Sequence, residues 1–449
     1  MNIDRRRLLA GIAALAAVRP LAAVAKSAPP SISLAASDFG MVANGNADLS
    51  AALQRAVDAA AARGVPLLLT GGTYRASNIR LSGGTTIEGV AGATVIVAIG
   101  DAPIFHAEGQ SGIAIKLLTL DGSGGGPTDD RAGLIALSHC DDLRLDGVAF
   151  TDGPGNGLFL DGCSGSVDGC SFSRHASAAI FAINSHELSL TRNTVSDCGN
   201  AGILVWRDEA GADGTIVSGN HISRILARSG GSGQNGNGIN VFRADNVVVA
   251  ENVIDACDFS AIRANTTRNA VIRGNACTNL KEVAIYSEFA FSGSVIDGNV
   301  VDGASGGISI TNFDQGGQLA VCTGNIVRNI LPRSPTNPDA TPFGIYAEAD
   351  TAITGNAVSN VPGFGIGAGT GRFLRNVVIA DNVISAADTG IGVSVAEGAG
   401  SVRIAGNMIS GARVNGIAGL KWDQVASGDL AADAARYPNV SIEGNVVGA

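Results

Sequence analysis

The sequence predicts an all-β chain folded as a parallel β-solenoid, and three observations lead to this. A short strand pattern, Gly or Ala followed by Ile and then by alternating side chains, recurs through the middle of the chain. Three successive gaps between its isoleucines, from Ile239 to Ile308, are 23 residues long. The composition is rich in glycine, with 62 residues, and only 4% aromatic. A repeat of this length with strand-like alternation is typical of stacked coils that pack only on their neighbours.

The outward-facing positions of this repeat form two predicted columns. Because side chains alternate between the faces of a strand, the isoleucines should point into the solenoid and two neighbouring positions should point out. Stacking the six copies places equivalent positions above one another. The first column is Leu204, Asn240, Arg263, Tyr286, Ser309 and Tyr346. The second column is Trp206, Phe242, Asn265, Glu288, Thr311 and Glu348.

These columns are the candidate functional site. Aromatic rings beside carboxylates, amides and an arginine suit a sugar-like ligand. Beyond Glu348 the same positions become glycine, serine and alanine, so the enrichment is confined to the middle of the chain. The predicted catalytic residues are Glu288, Glu348, Arg263 and Tyr286. The predicted ligand-binding residues are Asn240, Asn265, Tyr346, Trp206, Phe242 and Arg243.

Two reactions use these residues, and the sequence leaves both open. Glu288 and Glu348 are two coils apart in one column, which places their backbones about 9 to 10 Å apart. Inverting glycosidases hold their two carboxyl groups about 6.5–9.5 Å apart. Alternatively, Arg263 could neutralise the carboxylate of a uronic acid while Tyr286 or Tyr346 transfers a proton in β-elimination or epimerisation. A purely structural ion pair between Arg263 and Glu288 is a third interpretation.

Three insertions interrupt the repeat, at residues 207–213, 226–235 and 331–342. Each follows or precedes a strand of the two columns, so we expect the inserted loops to form walls of a cleft. A recurring asparagine has a structural interpretation instead, because stacked side-chain amides hydrogen-bond from coil to coil. Its members are Asn193, Asn220, Asn252, Asn275, Asn299, Asn325, Asn356, Asn382, Asn407 and Asn445.

The first 30 residues are predicted to be an export signal. Arg5, Arg6 and Arg7 precede an apolar run from Leu8 to Val18, which is too short for a membrane span. The arginines followed by two leucines resemble a twin-arginine signal. An ordinary basic signal is the alternative, and both place the mature protein in the periplasm. Residues 31–449 are then one domain without a membrane span.

Residues 31–90 are predicted to be the N-terminal cap and the first coil. Leu49, Leu53, Ala56 and Val57 fall at helical spacing, so a short amphipathic helix should begin near Asp48 and end near residue 64. Such a helix would cover the open end of the solenoid.

A family resemblance indicates the handedness of the solenoid. Asp38-Phe39-Gly40, the helix, the strand at residues 65–69 and Gly72-x-Tyr74 resemble the N-terminal signature of the pectate-lyase-like right-handed β-helix superfamily. With the arginine signal and the repeats, the whole chain is similar to twin-arginine-exported β-helix repeat proteins, a family without an assigned activity. The resemblance implies a right-handed, single-stranded parallel β-helix. Catalytic signatures of alginate epimerases and polygalacturonases are missing from the sequence.

Net charge and cysteine content further limit the classes of function that the chain could have. The net charge of −10 argues against nucleic acid as a partner, since phosphate binding requires a basic surface. Seven scattered cysteines lack metal-ligand spacing and should be small buried residues, with a Cys163–Cys170 disulfide as an open alternative. No metal or cofactor is predicted, although a twin-arginine signal would allow one. The leading prediction is a periplasmic hydrolase, lyase or epimerase acting on an acidic polysaccharide; the alternative is a non-catalytic glycan-binding or envelope-scaffolding protein.

Overall fold

The computed structural model describes residues 33–231, 233–313 and 315–448, which form one parallel β-helix. The predicted signal at residues 1–30 lies outside the described residues. Among the described strands, one pair is antiparallel, between Asn415–Lys421 and Gln424–Ser427 near the C-terminal end. No helix in this part of the chain has the length and hydrophobicity that crossing a membrane requires.

Each coil contributes a strand to three faces. The first face is a sheet of 16 strands. Its strands are Leu34–Ala35, Leu67–Leu68, Thr86–Glu88, Ala114–Lys116, Leu143–Asp146, Gly165–Asp168, Leu188–Thr191, Ile216–Ser218, Val248–Ala250, Val271–Arg273, Ser292–Asp297, Gln318–Thr323, Ala349–Thr354, Arg375–Ala380, Val402–Ala405 and Val440–Glu443.

The second and third faces form a sheet of 28 strands, because two 12-residue strands, Ala357–Ala368 and Val383–Ser394, run along both faces. The other second-face strands are Gly72–Arg75, Thr94–Val97, Thr119–Asp121, Ala149–Thr151, Ser171–Ser173, Thr194–Ser196, His221–Ile225, Val253–Cys257, Ala276–Thr278, Val300–Asp302, Ile326–Arg328, Met408–Ser410 and Val446–Val447. The other third-face strands are Ile79–Arg80, Phe105–Glu108, Gly133–Ser138, Asn156–Asp161, Ala178–Ile183, Ala201–Ala212, Asn237–Asp245, Ile262–Asn265, Val283–Glu288, Gly306–Thr311, Phe343–Ala347, Asn415–Lys421 and Gln424–Ser427.

The predicted capping helix is Ser50–Arg63. Asp48 Oδ1 accepts a hydrogen bond from the Ser50 N–H at 2.8 Å, and Gly64 ends the helix in the left-handed conformation. Leu53 and Val57 are fully buried, so this helix covers the apolar interior of the first coils. The remaining helical segments are Ala36–Phe39, Gly122–Gly124, Gly371–Phe373, Leu430–Asp433 and Ala434–Arg436.

The interior is aliphatic, and the isoleucines of the repeat lie in it. Ile239, Ile262, Ile285 and Ile308 are all 0% exposed and pair in register on successive coils. All seven cysteines are buried and free, so Cys163 and Cys170 form no disulfide.

The asparagine column is a hydrogen-bonded ladder at the turn between the first and second faces. From Asn193 to Asn407, each side-chain N–H₂ donates to the side-chain amide oxygen of the next asparagine at 2.8–3.0 Å, and the ladder ends at Asn445. The same oxygen accepts the backbone N–H of the preceding asparagine, as between Asn252 and Asn275 at 3.0 Å. The predicted structural role of these residues is therefore confirmed.

The third face places the predicted columns in register. Asn240 pairs with Arg263, Arg263 with Tyr286, Tyr286 with Ser309, and Ser309 with Tyr346. The second column follows through pairs of Trp206 with Phe242, Phe242 with Asn265, Asn265 with Glu288, and Glu288 with Thr311. Sequence alternation alone therefore identified the outer face.

Candidate functional site

Two adjacent hollows lie on the outer surface of the third face. The first hollow has a volume of about 290 Å³. It is lined by Trp206, Gly233, Gln234, Asn240, Phe242, Arg263, Asn265 and Phe289. The second hollow also has a volume of about 290 Å³. It is lined by Asp130, Arg131, Phe181, Ile183, Trp206, Arg207, Asp208, Phe242 and Arg243. Trp206 and Phe242 belong to both hollows and form the ridge between them.

Aromatic side chains form a row along this surface. Phe159, Phe181, Trp206 and Phe242 contact one another edge to face, with ring centroids 5.5, 5.3 and 5.9 Å apart. The indole N–H of Trp206 donates to Asn240 Oδ1 at 3.1 Å, which fixes the orientation of its ring. Edge-to-face packing adds about 0.5–1.5 kcal/mol for each pair beyond burial, so the row is a rigid wall.

The loop at residues 226–235 covers one side of the first hollow. The Gly233 carbonyl accepts hydrogen bonds from the side-chain N–H₂ of Asn240 at 2.7 Å and of Asn237 at 2.8 Å. Gly233 has a φ of +140°, a conformation that side-chain-bearing residues rarely adopt, and it lies directly over Arg263. The loop is therefore anchored by side chains of the strand that it covers.

Arg263 and Glu288 form an ion pair at the floor of this region. Arg263 Nε donates to Glu288 Oε1 at 2.7 Å, and Arg263 Nη2 donates to Glu288 Oε2 at 3.0 Å. Asn265 Nδ2 also donates to Glu288 Oε1, at 2.9 Å. Burial opposes the charge of Arg263, but the ion pair outweighs burial and the pKa of Arg263 is raised.

Tyr286 packs against the same arginine. The Arg263 guanidinium lies over the Tyr286 ring, 4.6 Å from its centroid. Burial raises the pKa of Tyr286, and the neighbouring Glu282 carboxylate adds to this effect. Glu282 Oε2 lies 3.4 Å from Arg263 Nη1, and burial raises the pKa of Glu282 as well. The phenol is therefore protonated at neutral pH and faces a guanidinium rather than a free base.

Glu348 does not line either hollow. Its side chain is fully buried, and its Oε2 accepts the backbone N–H groups of Asn312 at 2.8 Å and Phe313 at 2.5 Å. Burial raises the pKa of Glu348, against the opposing effect of these two N–H donors. The expected pairing of Glu288 and Glu348 across one cleft is therefore corrected: Glu348 holds the turn that follows the strand Gly306–Thr311.

Tyr346 lies apart from the two hollows as well. Its hydroxyl is 2.9 Å from Thr370 Oγ1, its ring packs on Phe343 with centroids 5.5 Å apart, and burial raises its pKa to about 12. The third insertion, residues 331–342, binds the carbonyl of Lys281 through Ser334 and Thr336, next to Glu282, but none of its residues lines either hollow. Of the three predicted walls, those at 207–213 and 226–235 line the hollows and this one does not.

Arg243 and the insertion at 207–213 form the second hollow. The insertion is a bulge within the strand Ala201–Ala212, where the register with the next strand shifts between Trp206 and Gly211. Arg243 Nη1 donates to the Asp208 carbonyl at 2.6 Å, and its guanidinium lies over the Phe242 ring at 4.8 Å from the centroid. Across the hollow, Arg131 Nη2 binds Asp208 Oδ1 at 2.8 Å.

Sequence reasoning missed several residues that line the hollows or contact Arg263. Phe289 and Glu282 flank the strand Val283–Glu288, just outside the repeat positions that alternation marks. Asp130 and Arg131 belong to a distant loop that only the coil stacking brings close. Phe181 could have been found from the sequence. It pairs in register with Leu204 and so extends the first column toward the N-terminus.

The described residues contain no group of three or more His, Cys, Asp or Glu side chains that could hold a metal ion. A larger, shallow hollow of about 430 Å³ lies on the first face beside Val295, Leu319 and Val321. It contains none of the predicted site residues and is lined mostly by aliphatic side chains, so the paired hollows of the third face are the better candidate.

Comparison with known proteins agrees with this architecture. A family model described as a right handed beta helix region matches residues 156–329, which confirms the predicted handedness. No curated protein sequence matches the chain.

Solved structures with the same fold include the surface adhesin PfbA of Streptococcus pneumoniae, which is 14% identical, with a TM-score of 0.56. That match covers 88% of this chain and 94% of the adhesin chain. An exopolygalacturonase from Thermotoga maritima is 12% identical over 92% of each chain, with a TM-score of 0.43. The catalytic unit of an α-1,3-glucanase from Streptomyces thermodiastaticus is 13% identical over 93% of this chain and 69% of its own, with a TM-score of 0.49. At 14% identity, the match to the adhesin shows the fold alone.

Proposed function

We propose that this chain, a right-handed parallel β-helix, binds a glycan in the first hollow of its third face. The observation that carries the proposal is the composition of that hollow. Trp206, Phe242 and Phe289 offer aromatic surface, while Asn265 and Gln234 bring amide groups to the same space. Flat apolar rings beside a few polar groups match the alternating C–H and hydroxyl surfaces of a sugar.

The rigidity of the hollow supports binding. Trp206 is held by Asn240, and Asn240 holds the Gly233 carbonyl, so ring, strand and loop are connected by two hydrogen bonds. These groups are already ordered before a ligand enters. Binding therefore costs less conformational entropy. Gln234 is exposed at the rim, where it can follow the hydroxyl pattern of the ligand.

The carboxylates favour binding over catalysis. A general base must have a free oxygen within about 2.6–3.2 Å of the proton that it removes. Both oxygens of Glu288 accept hydrogen bonds from Arg263, and one also accepts a bond from Asn265. Glu348 is enclosed and binds backbone N–H groups. Hydrolase, lyase and epimerase activity, which the sequence favoured, is tested separately.

Intrinsic fluorescence tests the binding proposal directly, because the chain has two tryptophans, Trp206 and Trp422. Trp422 is exposed near the C-terminal end and lies beside Gly371, away from both hollows. In Trp422→Phe, Trp206 is the sole reporter, and we expect a saturable change in its emission with neutral or acidic oligosaccharides. Calorimetry should show the same affinity for wild type and Trp422→Phe, and at least a ten-fold loss for Trp206→Ala. Equal affinity of Trp206→Ala and wild type would exclude the first hollow.

Catalysis is tested with the same panel of polysaccharides by following reducing ends and the absorbance of unsaturated uronates. We expect no product. Sustained product formation by wild type that is lost in Glu288→Gln, with the fold intact by circular dichroism, would establish the enzyme in place of the binding protein.

The location is a separate proposal. The mature chain acts in the periplasm after export by the twin-arginine pathway, as Arg5 and Arg6 indicate. Replacing both with lysine and fractionating the bacterial cells should move the protein from the periplasm to the cytoplasm. Unchanged export of this variant would point to the pathway for unfolded chains.

A further inference from the structure

The second hollow continues the first. Trp206 and Phe242 line both, so a chain of sugars that stacks on one side of this ridge reaches the other side with its next residue. The two hollows differ in charge. The first contains one arginine, Arg263, whose charge is offset by the carboxylates of Glu288 and Glu282. A guanidinium with two acidic neighbours has no excess charge to offer an anionic ligand.

The second hollow contains three arginines and two aspartates among its lining residues. Arg131 is ion-paired with Asp208 at 2.8 Å. Arg207 lies 4.0 Å from the buried Asp213 and donates to the carbonyl of Ser185 at 3.1 Å. Arg243 makes no ion pair with a carboxylate in the part of the chain that the structure describes; its hydrogen bond goes to the backbone carbonyl of Asp208. Arg243 is therefore the arginine of this hollow whose guanidinium is not bound directly by a carboxylate of the described residues, although Asp130 also lines the hollow and the charge of Arg243 acts on the nearby Asp208 carboxylate.

Arg243 is also held in place. Its guanidinium lies on the Phe242 ring at 4.8 Å from the centroid, and Nη1 is fixed at 2.6 Å from the Asp208 carbonyl oxygen. A guanidinium has five N–H donors in a planar fork, which match the oxygens of a carboxylate or sulfate in pairs. The protein as a whole carries a net charge of −10, so an unpaired, oriented arginine beside a glycan groove is not explained by a generally basic surface.

We propose that the second hollow is an anion subsite in which Arg243 binds the carboxylate or sulfate group of the sugar next to the one in the first hollow. This deepens the proposed function and rests on it. The arrangement assigns charge recognition to Arg243 and not to Arg263, which the sequence had favoured. The ligand is then an anionic oligosaccharide of at least two residues, and affinity depends on its charged group.

Binding of three oligosaccharides of equal length tests this subsite: an oligogalacturonate, a sulfated galactan fragment and a neutral cello-oligosaccharide. By calorimetry, we expect wild type to prefer one or both anionic ligands by at least ten-fold, and the preference to decrease as sodium chloride is raised from low to high concentration. Arg243→Gln should lose the preference, so that its affinities for the anionic and neutral ligands become equal within about two-fold. Arg243→Lys should keep only part of the preference, because an ammonium lacks the planar fork.

Arg273→Gln is the matched control, because Arg273 is exposed on the first face and the substitution changes net charge equally. It should behave as wild type. Comparison of the uronate and sulfate arms tells which anion the subsite takes. If glycans bind without preference for charge, or if Arg243→Gln keeps the preference, this inference is overturned while the proposed function stands. If wild type binds none of the three in any arm, the proposed function and the subsite both fail.

Discussion

Arg263 and Glu288 form a two-bonded ion pair on the outside of the β-helix, yet their side chains are only 10% and 6% exposed. The pair is covered by the loop at residues 226–235 and by the Tyr286 ring. This geometry explains how two charged side chains are tolerated at this coil. Each charge neutralises the other at a position that is largely shielded from solvent.

Removal of one partner should therefore destabilise the fold. Glu288→Ala leaves the Arg263 guanidinium buried without its carboxylate, and we expect a loss of about 3 kcal/mol in the free energy of unfolding. Urea unfolding measures this. The double variant Arg263→Met/Glu288→Leu should lose less than Glu288→Ala does, since it leaves no unpaired charge. The control is Ser309→Ala, a small change in the first column outside both hollows. A loss below about 0.5 kcal/mol in Glu288→Ala would contradict a buried pair.

His175 predicts a dependence of stability on pH. The ring is fully buried, neither nitrogen makes a well-aligned hydrogen bond with the described residues, and burial lowers the pKa of His175 from 6.5 to about 4, against a weak opposing contact with the Phe150 backbone. Above pH 6.5 this residue is neutral in both folded and unfolded chains. As the pH falls from 6.5 toward 4, the unfolded chain takes up the proton first, so stability is lost, by up to about 3 kcal/mol.

The comparison of His175→Leu with wild type isolates this contribution. The wild-type free energy of unfolding should fall more steeply than that of His175→Leu between pH 6.5 and 4, as measured by urea titration at each pH. The exposed His221 provides the control, and His221→Gln should keep the wild-type slope. Parallel curves for His175→Leu and wild type would show that His175 is not the titrating group.

Substitutions in the asparagine ladder should lower the free energy of unfolding by amounts that depend on position. In Asn275→Ala, the backbone N–H and side-chain N–H₂ of Asn252 lose their shared acceptor, Asn275 Oδ1, inside the protein. Buried donors without acceptors cost about 1–3 kcal/mol each, so we expect a loss of about 3 kcal/mol. Asn445→Ala, at the half-buried end of the ladder, should lose less because water can replace the amide. Equal losses at the two positions would argue against burial as the cause.

A substitution at Asn240 tests whether glycan binding depends on the ordering of the loop at residues 226–235. Asn240→Leu removes the acceptor of the Trp206 N–H and the donor to the Gly233 carbonyl. We expect at least ten-fold weaker glycan binding and faster proteolytic cleavage within residues 226–235, because ring and loop are no longer fixed. Limited proteolysis followed by mass spectrometry locates the cut. Binding should be unchanged in Ser309→Ala, and if Asn240→Leu also binds as wild type does, the ordering of Trp206 is irrelevant to affinity.

Strand register could be predicted from sequence because a solenoid repeats a local rule. The spacing of Ile239, Ile262, Ile285 and Ile308 determined which positions face inward, and the partners across coils followed from equal spacing. The asparagine ladder was predictable for the same reason. The capping helix Ser50–Arg63 followed from its own apolar spacing and from Gly64.

The hydrogen-bond and ion-pair partners of individual side chains could not be predicted in this way. Glu288 and Glu348 occupy one column by alternation, yet the first binds Arg263 and the second turns to the N–H groups of Asn312 and Phe313. Arg131 meets Asp208 although 77 residues separate them. These choices depend on where loops of different lengths return to the surface, and no repeat pattern encodes that.

The sequence by itself determined the coil, its inward and outward faces, the amide ladder and the coil range where unusual side chains gather, since each depends on alternation and near-neighbour stacking. Only the tertiary structure decided that these side chains divide into two hollows, that Arg263 is neutralised and Arg243 is not, and that Glu348 is enclosed. Partner choice among long side chains is set by burial and by loop contacts, and these arise only when distant parts of the chain meet.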